Sequence, residues 1–276
     1  MLSENFLFGV KITSAEKKEI LEYILQGLQK RREKYYIVTP NPEILVYASK
    51  HKGFKSILNH ARLGLCDGVG LIWGGKILGL NLKERMTGTD FVKSVCKMVC
   101  EKPITVGFLG GGPGVADKTA ECLRLKYPKL KVSFAAEEWN EGGLAQVSQC
   151  GRTQNKMRKN AEEVFSVIQP SIQRDSALTI DILFVAFGSP KQEEWIAKNL
   201  PQLPVKIAVG VGGAFDYISG KIPRAPLWIQ KSGFEWLYRL IRQPWRLKRQ
   251  LALLEFIFLI FKEKIKQSNL GKQSML

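Results

Sequence analysis

The sequence predicts an α/β fold with a mainly parallel sheet, and three observations carry that expectation. Short apolar and β-branched runs alternate with amphipathic helical stretches along most of the chain. One of them, "IDILFVAFGSP" at 180–190, is apolar enough to read as a fully buried strand. Several runs end directly in asparagine, aspartate or glycine turns, and in open parallel sheets ligands sit outside the carboxyl ends of the strands.

Taken in order, "FLFGVKI" reads as a first strand, and Thr13 with Glu16 as a capping box for the helix "AEKKEILEYILQGLQKR". "YYIVTP" is the next strand. Asn41 fits a helix N-cap and Pro42 the first turn of "PEILVYASKH". "ARLGLC" is a strand ending at Asp67, and a helix runs from about Gly88 through "TDFVKSVCKMVC". "PITVGFLGGGPG" is a strand entering a glycine loop, followed by the helix "VADKTAECLRLKY" and the strand "KVSFAA". Residues 137–160 are polar and read as an excursion. "AEEVFSVIQPSIQRDS" is partly helical, with Pro170 ending or kinking it. After the buried strand come the helix "KQEEWIAKNL" and a last strand, "VKIAVGVGGAFDYISG", which ends in a glycine turn. The strand ends therefore place Thr39 and Asn41, Asp67, Gly110 to Gly114, Gly188 to Gln192, and Gly212 to Asp216 on one ligand side.

With 276 residues the chain is long for one domain and short for two. The expected division is a core over 1–220 and an appendage over 221–276. The net charge of +17 points to anionic partners. Five cysteines without a C-x-x-C pair read as reduced core thiols, and two histidines argue against a structural zinc site or a histidine triad. No basic start with a long apolar core opens the sequence, so a cytoplasmic protein is expected.

The appendage holds twelve Lys/Arg against three Glu (12 − 3 = +9) and interleaves aromatics with the run "LALLEFIFLIF". That run falls short of the roughly 20 apolar residues needed to span a bilayer. A basic, aromatic-rich segment of this kind suits an anionic membrane surface. The alternatives are packing on the core or on another subunit, which leaves a homo-oligomer open. Nucleic acid is disfavoured, because a phosphate groove has no need of the apolar run.

Three motifs each have a functional and a structural reading. Gly110, Gly111 and Gly114 lie in a loop able to hold a phosphate at a helix N-terminus, or form a tight turn without ligand. Val115 breaks the strict G-x-G-x-x-G register, which weakens an alternative reading as a nicotinamide-dependent oxidoreductase with Glu137 or Glu138 on a ribose. In "GSPKQEEW", Ser189, Pro190 and Gln192 satisfy a capping box, while Lys191 and Gln192 also face the ligand side. Asp216 either caps a helix or accepts hydrogen bonds from a base or ribose. No D-x-D occurs to hold a divalent cation on a diphosphate, so arginines must neutralise one. Arg85, Arg239, Arg246 and Arg249 are the candidates.

"TPNPE" at 39–43, "CDGVGLIW" at 66–73, "ERMTGTDF" at 84–91, "FLGGGPG" at 108–114, "FVAFGSPKQEEW" at 184–195, "GVGGAFDYISG" at 210–220 and "RAPLWIQKSGFEWLYRLIRQPWR" at 224–246 together resemble the WecG/TagA/CpsF glycosyltransferases. The resemblance covers roughly residues 36–250, and the apolar tail 251–261 extends past it. It implies a Rossmann-like core and an inverting, metal-independent transferase without a cofactor. The sugar, often of the N-acetylmannosamine type, would pass from a UDP donor to a sugar on undecaprenyl diphosphate at the cytoplasmic membrane face. It also implies Asp67 as catalytic base, with Thr39, Asn41, Arg85 and Gln192 in the site and Asp216 near the uracil. Arg239, Arg246 and Arg249 would complete the site at the membrane.

Overall fold

The computed structural model of the chain describes residues 2–30, 34–137, 147–148, 180–244 and 247–273. The polar excursion beyond Glu137, the helix with Pro170, Glu138, Cys150 and Arg246 lie outside the described residues. The chain forms two compact units. One comprises Met1–Ile20, Thr39–Thr87 and Arg224–Leu276; the other comprises Leu21–Val38 and Gly88–Pro223.

The first unit opens with an antiparallel hairpin, β1 (Ser3–Leu7) and β2 (Val10–Ser14). The single strand expected over "FLFGVKI" is thus two. Phe8 and Gly9 both take positive φ, 53° and 74°, as a two-residue hairpin turn that follows the strand twist requires. Thr13 does not cap a helix. It bridges to Leu65 beyond β4 (Leu63–Gly64), and its Oγ1 accepts the Gly64 N–H at 3.1 Å. Helix α1 (Lys17–Lys30) is capped from inside instead, Glu19 accepting the Glu16 N–H at 2.7 Å.

Asn41 caps α2 (Pro42–Lys50) as expected, its Oδ1 accepting the Ile44 N–H at 2.9 Å with Pro42 in the first turn. Helix α3 (Lys52–His60) follows, then α4 (Val69–Ile77). The C-terminal residues of this unit supply α9 (Leu227–Ser232), α10 (Glu235–Arg242) and α11 (Leu247–Gln273). Helix α11 buries Phe256 and Ile260 and packs on α2 and α4. Phe256 meets Phe8 edge-on with centroids 5.7 Å apart, and Glu255 pairs with Lys50 at 2.7 Å.

The second unit contains β3 (Tyr35–Val38), β5 (Thr105–Gly110), β6 (Lys131–Ala136), β7 (Val147–Ser148), β8 (Ile180–Ala186) and β9 (Val205–Gly210). They run in the order β3-β9-β8-β5-β6-β7, parallel except for β7. All seven residues of β8 are buried, which is why the run lacks apolar–polar alternation. One face of the sheet sets Leu183 and Val185 against Ile196 of α7 (Lys191–Asn199) and Leu200 just past its end. The other sets Phe184 on Phe108, with centroids 5.6 Å apart, among Phe91 of α5 (Gly88–Val99) and Phe215 of α8 (Ala214–Ile218). Each such ring contributes about 1.5–3 kcal/mol by leaving water. Helix α6 (Val115–Lys126) packs on β5 and β6. The acidic residue in the buried strand is satisfied: Asp181 accepts the Thr105 N–H at 2.8 Å and pairs with Lys206 at 2.5 Å.

Candidate active site

The first unit draws three expected segments together by backbone hydrogen bonds. The Asp67 N–H donates to the Pro40 carbonyl at 2.9 Å, and the Met86 N–H donates to the Cys66 carbonyl at 2.8 Å. Thr39 and Asn41, Asp67 and Arg85 thereby belong to one lattice. Thr39 is buried, while Asn41, Asp67 and Arg85 are half-buried.

The demands of the turn after β4 fall on the glycines, not on the acid. Gly68 has φ 101°, and a Cβ on Gly70 would lie 2.8 Å from Pro42 Cγ. Asp67 stands half-exposed between β4 and α4. Its charge and that of Arg85 both register on the neighbouring thiol. Burial pushes Cys66 up to about 12, with Asp67 adding to the rise and Arg85 opposing it. Such a thiol stays protonated and inert.

The C-terminal segment of the same unit packs close by. Gly233, at φ 81°, leaves no room for a side chain against Val69, two residues from Asp67. Glu235, next along, accepts from Arg224 Nε at 2.8 Å and lies 3.5 Å from Arg85 Nη2. Arg239 donates to Gln243 at 3.3 Å. Arg249 lies on α11, and Arg246 falls outside the described residues.

The second unit holds the other candidates. A Cβ on Gly110 would lie 2.9 Å from the Ala186 carbonyl carbon, and one on Gly111 would lie 2.8 Å from Val115. Close packing and positive φ thus account for both glycines. The Gly114 N–H donates to Glu137 at 2.7 Å, so the carboxylate that the oxidoreductase reading placed on a ribose is bonded to the loop itself. Gln192 is 1% exposed. Its Oε1 accepts the Gly212 N–H at 2.9 Å and its Nε2 donates to Glu193 at 2.8 Å, so it braces the turn after β9 where a capping box was expected. No side chain caps α7, which starts at Lys191, an exposed residue. No side chain caps α8 either, so Asp216, half-buried in its first turn, does not serve as a cap.

Sequence reasoning missed three charged residues at these places. Lys221 Nζ lies 3.6 Å from where a Gly112 Cβ would stand. Arg224 and Glu235 both sit inside the "RAPLWIQKSGFEW" stretch, where Glu235 is the lone acid beside two bases. Among the described residues, no cluster of three or more His, Cys, Asp or Glu could hold a metal ion, and no helix is long and apolar enough to cross a membrane.

One unit is a parallel sheet with glycine turns at its strand ends, an α/β architecture that hosts many group-transfer enzymes; the other carries the half-buried Asp67 in a segment whose backbone is bonded to that of Met86, next to Arg85. The chain belongs to the WecG/TagA/CpsF family of glycosyl transferases, whose profile matches residues 5–270, and is a glycosyltransferase. That match runs past the 36–250 of the motifs at both ends and takes in the apolar run 251–261. Three relatives carry the name N-acetylglucosaminyldiphosphoundecaprenol N-acetyl-β-D-mannosaminyltransferase. The protein of Bacillus spizizenii is 30% identical over 229 residues, covering 83% of this chain and 79% of the relative. That of Bacillus subtilis is 28% identical over 228 residues (83% and 79%), and that of Staphylococcus aureus 28% over 231 residues (84% and 81%).

Proposed function

We propose that the chain transfers an N-acetylmannosamine-type sugar from a UDP donor to a sugar on undecaprenyl diphosphate. The reaction inverts the anomeric centre, needs no metal and serves cell-wall or surface polysaccharide synthesis at the inner face of the cell membrane. The observation that carries this reading is the placement of half-exposed Asp67 in one hydrogen-bonded lattice with Asn41 and Arg85. The names of the relatives supply the substrate class.

Asp67 accepts the proton of the acceptor hydroxyl as its oxygen attacks the anomeric carbon. The bond to the UDP oxygen breaks on the opposite side, and Arg85 offsets the charge that gathers on the departing diphosphate, joined by Arg239, Arg246 and Arg249. Thr39 and Asn41 orient the donor sugar. Asn41 commits Oδ1 to its helix and offers its amide nitrogen. Gln192 acts on the donor through the Gly212 turn that it braces. Gly110, Gly111, Gly114, Lys191 and Asp216 serve the nucleotide. Residues 221–276 dock on the anionic leaflet.

The decisive experiment is Asp67→Asn. The variant should fold and bind UDP as the parent does while turnover falls by about 10²-fold or more. Turnover close to the parent's would remove Asp67 as base.

A further inference from the structure

Within the first unit, one carboxylate is shared by two arginines. Glu235 Oε1 accepts from Arg224 Nε at 2.8 Å, and Glu235 Oε2 lies 3.5 Å from Arg85 Nη2. The three side chains are 17%, 16% and 23% exposed, so water only partly screens them. Arg224 Nη2 also approaches Thr87 Oγ1 at 3.5 Å, two residues beyond Arg85. Met86, between them, is bonded through its N–H to the residue before Asp67.

We infer that Arg224 is a second anion-binding arginine of this site, and that Glu235 is the positioning residue that sets it beside Arg85 to receive a diphosphate. The assignment rests on the diphosphate role proposed for Arg85. Two guanidinium groups repel each other and would splay apart without a bridge. A carboxylate that engages one arginine with each oxygen holds both within its own width. Two positive charges against one negative leave the cluster positive, and a diphosphate, with oxygens on two phosphorus atoms, can span both forks. That diphosphate belongs either to the nucleotide or to the lipid-linked acceptor.

The test uses the full chain and two probes: UDP, and a short-chain polyprenyl diphosphate in detergent. Each is titrated calorimetrically into the parent and the Arg85→Ala, Arg224→Ala, Glu235→Ala and Glu235→Gln variants, with a thermal melt of each protein. Arg224→Ala and both Glu235 variants should weaken one probe by about tenfold, and the probe that suffers names the source of the diphosphate. The sign is diagnostic at Glu235. Removing a negative charge that merely competes with the ligand would tighten binding, and tightening overturns the positioning role. A lower melting temperature with unchanged affinities overturns it too, leaving only a structural ion pair. If Glu235→Ala does not fold, the near-isosteric Glu235→Gln carries the measurement. Arg85→Ala separates the two levels. If it changes neither affinity nor turnover, the diphosphate role of Arg85 itself falls. If Arg85→Ala weakens binding while the Arg224 and Glu235 variants do not, only the pairing falls.

Discussion

Glu193 is completely buried in the first turn of α7, donor-bonded by Gln192 at 2.8 Å, with its Oε2 left without a hydrogen-bond partner. Burial is the chief cause that pushes its carboxyl up to about 7; Glu194 adds to the rise, while the contacts with Gln192 and Ser189 oppose it. In the unfolded chain the same group titrates near 4.5. The neutral form is therefore the one the fold prefers. Its stabilisation is complete below about pH 4.5 and is lost as pH rises through about 7. Glu193→Gln keeps the shape and removes the ionisation. Thermal melts at a series of pH values should show the parent losing up to about 3 kcal/mol relative to the variant across this window. Parallel pH profiles for the two proteins would contradict it. At this scale, Asn41 was legible because a cap followed by proline is a local signal. The inward turn of Gln192 was not, since its partner, the Gly212 N–H, lies 20 positions away and only the closed sheet leaves it in need of an acceptor. The place of Asp67 at a strand end was legible from the run before it, whereas the positive φ of Gly68 that turns the chain into α4 shows only in the folded backbone.

Helix α4 shows what pattern reading loses at the level of elements. Its sequence, "VGLIWGGKI", carries three glycines in nine residues, which lowers helix propensity by about 1 kcal/mol each. Packing explains them. A Cβ on Gly70 would strike Pro42, one on Gly74 would lie 2.6 Å from Ile260 Cδ1 and 3.1 Å from Phe256, and one on Gly75 would lie 2.7 Å from Leu82. The glycines let α11 and the chain around Pro42 and Leu82 close onto α4. Gly74→Val should accordingly destabilise the protein by about 1–3 kcal/mol in urea unfolding, because α11 must shift. Ile260→Ala vacates the space that the added side chain needs. The double variant should therefore be more stable than the sum of the two single losses predicts; strict additivity would show that Gly74 and Ile260 do not compete. The apolar run that marked α11 in the sequence is the middle of a longer helix, and only part of it is buried. Phe256 and Ile260 face inward, while Leu247, Leu251, Leu254, Phe258, Phe261 and Ile265, spaced alternately four and three apart, are more than half exposed.

For the molecule as a whole, that exposed stripe and the charge both bear on the anionic membrane surface proposed as a partner. The interleaving of residues 1–20, 39–87 and 224–276 in one compact unit could not be read from the chain, since no local pattern reports which distant segments meet. The charge could. Residues 221–276 contribute +9 of the net +17, and two of their three acids are already engaged, Glu235 with arginines and Glu255 with Lys50. Basic residues beside an anionic leaflet add about 1 kcal/mol each, a contribution that salt screens within roughly 8 Å at physiological strength. Apolar side chains entering the acyl boundary add about 25 cal/mol per Å², which salt does not screen. Flotation with phosphatidylglycerol vesicles should therefore show binding that weakens as sodium chloride is raised, and neutral phosphatidylcholine vesicles should bind much less at every salt concentration. Replacing Leu251, Leu254, Phe258 and Phe261 by serine leaves the inward Phe256 and Ile260 in place. It should abolish the component that survives high salt while sparing most of the low-salt component. Equal binding to neutral and anionic vesicles would dismiss the charge as the recruiting force. An unchanged high-salt component in the serine variant would dismiss α11 as the surface that enters the lipid.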